Sequence, residues 1–479
     1  MAERILFLTG KLAEQRLHRV LQAMHDVDFT YEVRNIGVSV AALMTAGMIQ
    51  RRLGNINADR VIVPGLCRGD LEALSAQLGV TVIRGPEDLK GLPGFFGRDC
   101  QPPDLSRYDV SIFAEIVEAA QLDIPRVLER AARYREDGAD VIDIGCLPET
   151  DFPHLEETVQ ALHDQGHRVS IDSLEQDELL RGGRAGADYL LSLNETTLWI
   201  ADEVNSVPVL IPAEHGDLDS LGRAVEGLAA GSKPFIADSI LDPIHFGFTD
   251  SIIRYHALRN RYPDIDIMMG IGNLTELTEA DTTGINAMLF GLISELGITS
   301  VLTTEVSPHA CSAVREADRA RRIMYAARED NSLPKGLDSS LLVGHARKPF
   351  SCTLEEITEL AQAIRDPSYR VQLSSEGIHV FNRDGMLGGT DPYALFPLLQ
   401  QLQDDAPHAF YMGVELARAQ IAWQLGKAYR QDEELDWGAA VAPAIKEAGK
   451  RNADSGHGHA PEGTTLQARR KKGKKQKAS

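Results

Sequence analysis

The chain has 479 residues and a formal net charge of −21 at pH 7, from 49 Lys and Arg against 70 Asp and Glu. This negative charge argues against nucleic acid or an anionic membrane surface as a partner for the body of the protein. The N-terminal apolar run is too short for a signal peptide, no run approaches the ~20 apolar residues of a membrane span, and the five cysteines are scattered without metal-binding spacing, so we expect a cytoplasmic protein.

Residues 1–100 alternate short apolar strands with helical segments. Strands are predicted at 4–10, 31–37, 59–65 and 80–85, and helices at 12–24, 38–53 and 70–79. This alternation predicts a small open-sheet parallel α/β domain. A segment rich in Pro and Gly, 92–108, is predicted to be a linker.

Residues 110–328 continue the alternation with better-defined strands. These are predicted at 110–117, 140–145, 168–173, 188–193, 207–213, 233–241, 266–272 and 300–306. Eight strand–helix units over about 220 residues predict a (β/α)8 TIM barrel. Asp123 is expected to cap the first helix and Gly138 to end it, while Gly182, Gly183 and Gly186 are expected to end the third.

The rest of the chain has a different character. Residues 335–440 predict an α+β appendage, with two strands around a turn in 371–385 and helices at 354–365 and 408–426. Residues 441–479 are rich in Ala, Gly, His and Lys and predict a disordered, solvated basic tail.

Three acceptor-rich side chains end separate predicted strands of the barrel. Asp172 ends RVSID, Asn194 ends DYLLSLN, and Asp242 ends FIADSILD. In a parallel barrel the strand ends open onto one face, where active sites are built. Carboxylates and a carboxamide converging there suit a planar ligand edge rich in N–H donors, which indicates a pterin. For each residue alone, the alternative is an ordinary helix N-cap.

Four motifs in residues 110–328 resemble the dihydropteroate synthase family. They are GADVIDIG (138–145), SIDS with Asp172, SLNE with Asn194, and LDPIHFGF (241–248) with Asp242. The resemblance implies a TIM barrel that binds a reduced pterin at its C-terminal mouth, through Asp172, Asn194, Asp238, Asp242 and Asn273. It also implies catalytic roles for Asp172, Asp242 and His309.

The chain departs from that family where the family places cations. CLPETDFPH (146–154) replaces its Ser-Thr-Arg-Pro loop, GIGNLTE (270–276) replaces its Ser-Arg-Lys run, and Ser307 replaces the arginine of its Arg-x-His. A leaving diphosphate would then need a metal ion, backbone N–H groups or other basic residues.

Two further residues have candidate roles with plain alternatives. Glu115, which replaces the family's first-strand asparagine, is a candidate Mg2+ ligand, or simply a polar strand-end residue. His309 is a candidate phosphate ligand, or a packed strand-end histidine. Asp238 and Glu305 are expected to face inward behind the catalytic groups.

These departures resemble a divergent dihydropteroate synthase-related branch associated with organisms that use tetrahydromethanopterin. There the enzyme would condense a hydroxymethyl-dihydropterin diphosphate with an arylamine, expected to be ribofuranosylaminobenzene phosphate. Two other functions stay open: methyl transfer from a reduced pterin to a corrinoid, which Asn273 favours, and non-catalytic pterin binding. The family's barrels commonly pair, so a homodimer is also open.

Overall fold

The computed structural model describes residues 2–24, 27–98, 103–231, 233–399, 402 and 405–442. The chain divides into two compact units: Met1–Tyr108 with Arg322–Asp338, and Asp109–Arg321 with the chain from Ser339 onward. The predicted basic tail lies outside the described residues from residue 443.

The first unit contains the predicted parallel α/β domain. Its strands are β1 (Glu3–Thr9), β2 (Phe29–Asn35), β3 (Arg60–Val63) and β4 (Thr81–Arg84), and its helices are α1 (Glu14–Ala23), α2 (Ala46–Arg52), α3 (Leu71–Leu78) and α4 (Leu92–Phe95). The sheet order is β2-β1-β3-β4, and each pair is parallel. The fold predicted for this part of the chain is confirmed.

One predicted helix of this unit is shorter than expected. The helix expected over 38–53 begins at Ala46, where the Thr45 hydroxyl accepts a hydrogen bond from the Met48 N–H at 3.3 Å. Upstream, the carbonyls of Val38 and Ser39 accept from the N–H groups of residues 11 and 12. Those carbonyls are engaged by the loop after β1 instead of by a helical turn.

The second unit contains a closed barrel of eight parallel strands. They are β5 (Ser111–Ile116), β6 (Val141–Gly145), β7 (Arg168–Asp172), β8 (Tyr189–Leu193), β9 (Val207–Leu210), β10 (Ile236–Ala237), β11 (Asp266–Gly270) and β12 (Ser300–Thr304). Each strand pairs with its successor in the chain, and β12 closes on β5. The predicted TIM barrel is confirmed, and all its strand ends open onto one mouth.

Helices alternate with the barrel strands. They are α5 (Ile124–Asp137), α6 (Leu155–Asp164), α7 (Gln176–Arg184), α8 (Ile200–Glu203), α9 (Leu218–Ala229), α10 (Phe248–Arg261), α11 (Gly272–Thr275), α12 (Thr282–Leu296) and α13 (Ala313–Glu329). Asp123 caps α5 by accepting from the Arg126 N–H, and Gly138 follows it at φ 108°, as predicted.

The predicted role of two glycines in α7 was wrong. Gly182 and Gly183 lie inside the helix instead of ending it. A Cβ at Gly182 would lie 2.6 Å from Cγ1 of Ile171, and one at Gly183 would lie 2.8 Å from Cγ1 of Val204. These glycines allow close approach of the helix to its neighbours.

The barrel interior below the mouth is apolar. Six strands each contribute one buried side chain to a single cluster: Phe113, Val141, Leu191, Val209, Ile236 and Met268. Because side chains alternate along a strand, the residues two positions later on β5 and β6 continue the same inner face toward the mouth. Those residues are Glu115 and Asp143.

The C-terminal part has one strand more than predicted. An antiparallel sheet contains β13 (Arg370–Ser374), β14 (Gly377–Asn382) and β15 (Gly385–Gly389), accompanied by α14 (Leu354–Ala363), α15 (Pro392–Leu395) and α16 (Ala406–Leu425). The third strand, GMLGG, was missed because its glycines lack the apolar alternation that marks a strand.

Candidate functional site

Three carboxylates meet inside the barrel mouth. Glu115 lies opposite Asp143 in the pairing of β5 with β6, and Gly145 lies opposite Asp172 in the pairing of β6 with β7. One carboxylate oxygen of each of Glu115, Asp143 and Asp172 lies within 4.8 Å of the others. The predicted metal ligand Glu115 therefore lies beside the predicted pterin ligand Asp172.

Asp143 is the buried member of this cluster. Its side chain is fully buried, and its Oδ1 accepts a hydrogen bond from the Ser170 hydroxyl. Its Oδ2 is also buried and has no hydrogen-bond partner among the described residues. A buried acceptor left unpaired costs about 1–3 kcal/mol, and more if it is charged. This oxygen is therefore an acceptor that a cation or a hydrogen-bond donor would satisfy.

Burial raises the pKa of all three carboxyls, and the charges of neighbouring carboxylates add to the shift for Glu115 and Asp143. The pKa of Glu115 is raised to about 7 by burial, and then by the charges of Asp172 and Glu276. Burial, with the charges of Asp172 and Glu115, raises the pKa of Asp143 well above its usual value. Burial raises the pKa of Asp172, although the Ser192 hydroxyl opposes the shift. The cluster therefore resists full ionisation unless a positive charge joins it.

The cluster fits a hard divalent cation. Mg2+ and Ca2+ prefer oxygen ligands, and carboxylates of this kind are their usual protein ligands. The donor set is entirely oxygen, and Asp143 Oδ2 is available to such an ion. Glu115, Asp143 and Asp172 would hold it.

Asp172 and Asp238 are both held in place by neighbouring hydroxyl groups. The hydroxyl of Ser192, on the neighbouring strand β8, donates a hydrogen bond of 2.8 Å to Asp172 Oδ1. Asp238, directly after β10, accepts from the Tyr255 hydroxyl at 2.6 Å and from the Ile240 N–H at 2.7 Å. Burial raises the pKa of Asp238 to about 6, although these two hydrogen bonds oppose the shift.

Asn194 makes local hydrogen bonds, but it is not the N-cap of the helix that follows, whose N-cap is Trp199. It directly follows β8, and its Oδ1 accepts from the Thr196 N–H at 2.9 Å and from the Thr196 hydroxyl at 2.7 Å. This is an Asx turn, in which the side chain replaces a backbone acceptor. The side-chain carbonyl is thereby used locally, so a pterin contact would fall to the amide nitrogen.

Asp242 is a buried, paired carboxylate. Its Oδ2 accepts from Arg254 Nη2 at 2.7 Å, and its Oδ1 accepts from His215 Nε2 at 2.7 Å. Arg254 also donates to the backbone carbonyls of Ser239 and Ile240, and these hydrogen bonds hold it against the loop after β10. Burial works to raise the pKa of Asp242, but the hydrogen bonds from Arg254 and His215 outweigh it and lower the pKa below its usual value.

The hydrogen bonds between the loops after β11 and β12 involve neither lysine nor arginine side chains among the residues named here. Asn273 donates from Nδ2 to the carbonyl of Leu241 at 2.7 Å, next to Asp242. His309 Nε2 donates to the carbonyl of Thr275 at 3.1 Å. The Glu276 carboxylate accepts from the N–H groups of Val306 and Ser307 at 2.9 and 2.8 Å. These backbone donors are therefore already taken by an anionic group of the protein.

The expectation that Glu305 faces inward was wrong. Its Oε2 accepts from Arg133 of α5 at 2.9 Å, and its Oε1 accepts from the Val314 N–H at the start of α13. Both partners belong to the helices around the barrel. Glu305 lies one residue beyond Thr304, the last residue of β12. Because side chains alternate between the two faces of a strand, neighbouring residues such as these point to opposite faces.

Sequence reasoning missed four residues of the mouth. Asp143 had a signal, because it follows Val141 at the strand period of two within DVIDIG. Arg254 lies in a helix and His215 in a loop, so no spacing connects either to Asp242. Glu276 likewise gave no signal, because its partners are backbone groups 30 and 31 residues away.

The fold and site define a (β/α)8 barrel with an acidic, oxygen-rich mouth. Residues 3–87 match a family of unknown function, DUF6513. An uncharacterized protein of Methanocaldococcus jannaschii is 26% identical over 530 residues, which cover 90% of this chain and 99% of that protein.

Among solved structures, the chain is similar to dihydropteroate synthases. A Yersinia pestis enzyme with a pterine–sulfa conjugate is 16% identical, at a TM-score of 0.37, over 47% of this chain and 95% of that one. A Burkholderia cenocepacia enzyme complexed with 7,8-dihydropteroate is 16% identical, at a TM-score of 0.37, over 47% and 92%. A Thermus thermophilus enzyme is 18% identical, at a TM-score of 0.35, over 47% and 95%.

Across the part of the chain that the structure describes, no helix has the length and apolar character needed to cross a lipid bilayer.

Proposed function

We propose that the barrel mouth binds a reduced pterin and that the protein is a dihydropteroate synthase-like transferase. It condenses hydroxymethyl-dihydropterin diphosphate with an arylamine, with Mg2+ at Glu115, Asp143 and Asp172. The observation that carries this proposal is the concentration of acceptor side chains at the carboxyl ends of β5, β6, β7 and β10. It supports both a donor-rich heterocycle and a divalent cation.

The acceptors of the mouth suit the amino-pyrimidinone edge of a pterin. That edge has several N–H donors, each of which costs about 1–3 kcal/mol if buried without a partner. Asp172 and Asp242 are rigidly held, by Ser192 and by Arg254 respectively. A carboxylate oxygen accepts more than one hydrogen bond, so both can bind the ring while keeping these partners.

A divalent cation resolves the problem of the leaving diphosphate. Arg254 is already paired with Asp242, and the N–H groups of Val306 and Ser307 are already bound by Glu276. At these positions neither a free cation nor free backbone donors remain to stabilise an anion. When bound, Mg2+ would neutralise negative charge that develops on the diphosphate.

The arylamine and the pathway follow from the sequence resemblance. The rebuilt loop 146–154, and the run GIGNLTELTEADTTGIN (270–286), which resembles the divergent tetrahydromethanopterin-associated branch, support ribofuranosylaminobenzene phosphate as the acceptor. The proposed role is therefore in tetrahydromethanopterin biosynthesis within one-carbon metabolism. The pterin and the arylamine are then the partners of the site. Orienting the two reactants supplies much of the rate acceleration.

The test is diphosphate release by the full-length protein. It is assayed with hydroxymethyl-dihydropterin diphosphate and either p-aminobenzoate or ribofuranosylaminobenzene phosphate, with and without Mg2+. We expect Mg2+-dependent release with one amine, lost in Asp143→Asn and kept in Asp266→Asn, an exposed residue at the opposite end of the barrel. If no diphosphate is released with either amine, the proposal is contradicted.

Methyl transfer from a reduced pterin to a corrinoid is the second candidate, and Asn273 favours it. Its amide nitrogen donates to the carbonyl of Leu241, beside Asp242, so a pterin contact would use the side-chain oxygen as an acceptor. Incubation with an N5-methyl reduced pterin and a reduced corrinoid distinguishes the two functions. Appearance of the methylcorrinoid spectrum, without diphosphate release in the first assay, would replace the synthase by the methyltransferase.

A further inference from the structure

His215 and Asp242 form a histidine–carboxylate pair at the mouth. His215 lies in the loop after β9, and its Nε2 is 2.7 Å from Asp242 Oδ1. The Asp242 side chain is 6% exposed, whereas the His215 side chain is 65% exposed. A buried carboxylate thus holds an imidazole whose other edge faces outward.

The hydrogen bond of the pair sets the tautomer of the neutral imidazole. An ionised carboxylate only accepts hydrogen bonds, so the proton of neutral His215 lies on Nε2. Nδ1 then carries a lone pair. Arg254, bonded to the other oxygen of Asp242, favours the ionised carboxylate and so maintains this arrangement. The second ring nitrogen of His215, Nδ1, is therefore a base.

We propose that His215 is the general base of the transfer reaction and accepts the proton of the arylamine nitrogen at Nδ1. The inference rests on the proposed function. The amine lone pair forms the new C–N bond to the pterin methylene carbon, and the C–O bond to diphosphate breaks with its electron pair leaving on the diphosphate. The N–H proton passes to Nδ1 of His215, and from there to solvent.

Asp242 supports this step in the way that a carboxylate supports a catalytic imidazole. It orients the ring and stabilises the imidazolium that forms when Nδ1 takes the proton. Asp242 therefore has a second use beside pterin binding, because it aligns the base with the ring that it holds. This connects the third acceptor of the mouth to the chemistry.

The cluster carboxylates, His309 and Lys233 are less suited to this role. Glu115, Asp143 and Asp172 share the cation cluster. His309 donates to a neutral backbone carbonyl, which stabilises an imidazolium less than a carboxylate does. Lys233, the one lysine in the sequence between residues 109 and 321, precedes β10 and so lies toward the opposite end of the barrel.

The experiment compares His215→Gln with the wild type in the diphosphate-release assay, using the amine that supports turnover. We expect kcat to fall by about 100-fold or more, the usual contribution of general base catalysis. The Kd of the pterin diphosphate should stay within about twofold, because His215 contributes a base and not a pterin ligand. His256→Gln, at an exposed position in the middle of α10, is the matched control.

Chemical rescue separates a catalytic from a merely structural role. In His215→Gly, added imidazole should restore a substantial part of the lost kcat, whereas it should not affect His256→Gln. Loss of pterin affinity in parallel with kcat, absence of rescue, or a fall in kcat below about threefold would each overturn the assignment. Absence of turnover in the wild type would instead refute the proposed function, and this inference with it.

Discussion

Replacing Asp143 by Asn should stabilise the metal-free protein and weaken its response to Mg2+. Two unit charges at 4.8 Å, the limit of separation within the cluster, repel by about 3.5 kcal/mol at an effective dielectric constant near 20. Proton uptake by the cluster already relieves part of this repulsion, so we expect a gain of about 1–3 kcal/mol at pH 8. The new Nδ2 would also donate toward Glu115 or Asp172, while Oδ1 keeps its bond from Ser170.

The assay is thermal unfolding at pH 8 in EDTA and in millimolar Mg2+. For a unit of this size, 1 kcal/mol shifts the apparent Tm by about 2–4 °C. Asp143→Asn should unfold several degrees above the wild type in EDTA, yet gain much less from Mg2+. Asp266→Asn should match the wild type in both conditions. If Asp143→Asn melts lower in EDTA and responds fully to Mg2+, the carboxylate is structural and the cation site is misassigned.

Three further predictions concern stability. The raised pKa of Glu115 favours its protonated form in the folded state, so its contribution to the free energy of unfolding is complete below pH 4.5 and is lost as the pH rises to about 7. Without metal, the free energy of unfolding should therefore fall by up to about 3 kcal/mol over this pH range in the wild type, and this fall should be absent in Glu115→Gln. Arg254→Ala should cost about 3–5 kcal/mol in chemical denaturation, because it takes the guanidinium partner away from the buried carboxylate of Asp242. Gly182→Ala should cost about 1–3 kcal/mol by overpacking, whereas Gly284→Ala, with nothing within 4 Å, should not destabilise.

Each of these predictions has an outcome that contradicts it. Glu305→Gln should flatten the pH profile as well, because burial raises its pKa to about 7, but it should leave the Mg2+ response unchanged. If Glu115→Gln and Glu305→Gln lost their response to Mg2+ equally, the response would not come from the carboxylate cluster. Wild-type stability in Arg254→Ala would mean that Asp242 is hydrated and not held by Arg254. Tolerance of alanine at Gly182 would show that α7 can move away from Ile171.

The barrel could be predicted because its signals are local. Each strand is a short apolar run, and each following helix shows its own periodicity and caps, such as Asp123 and Gly138 around α5. Errors arose where spatial neighbours decide. Gly182 lies within α7, where the close approach of Ile171 leaves no room for a Cβ, and β15 forms because β14 offers an edge for pairing.

The mouth could be predicted only in part. Asp172 ends its strand, Asn194 directly follows one, and Asp242 lies in the loop after β10, so each could be placed at the carboxyl end of a strand from a local pattern. Their partners are distant in the chain: Arg254 is 12 residues from Asp242, and His215 is 27. Hydrogen bonds of this kind depend on the closed barrel and have no sequence spacing.

Equilibrium binding of hydroxymethyl-dihydropterin diphosphate in saturating Mg2+ tests the central claim most directly. Calorimetry on the full-length wild type should show one site per chain, and Asp172→Asn should weaken binding by about 10–100-fold, since one charged hydrogen bond contributes about 1.5–3 kcal/mol. Asp266→Asn should bind as the wild type does. Equal binding by Asp172→Asn, or no binding by the wild type, would contradict a pterin site at the barrel mouth.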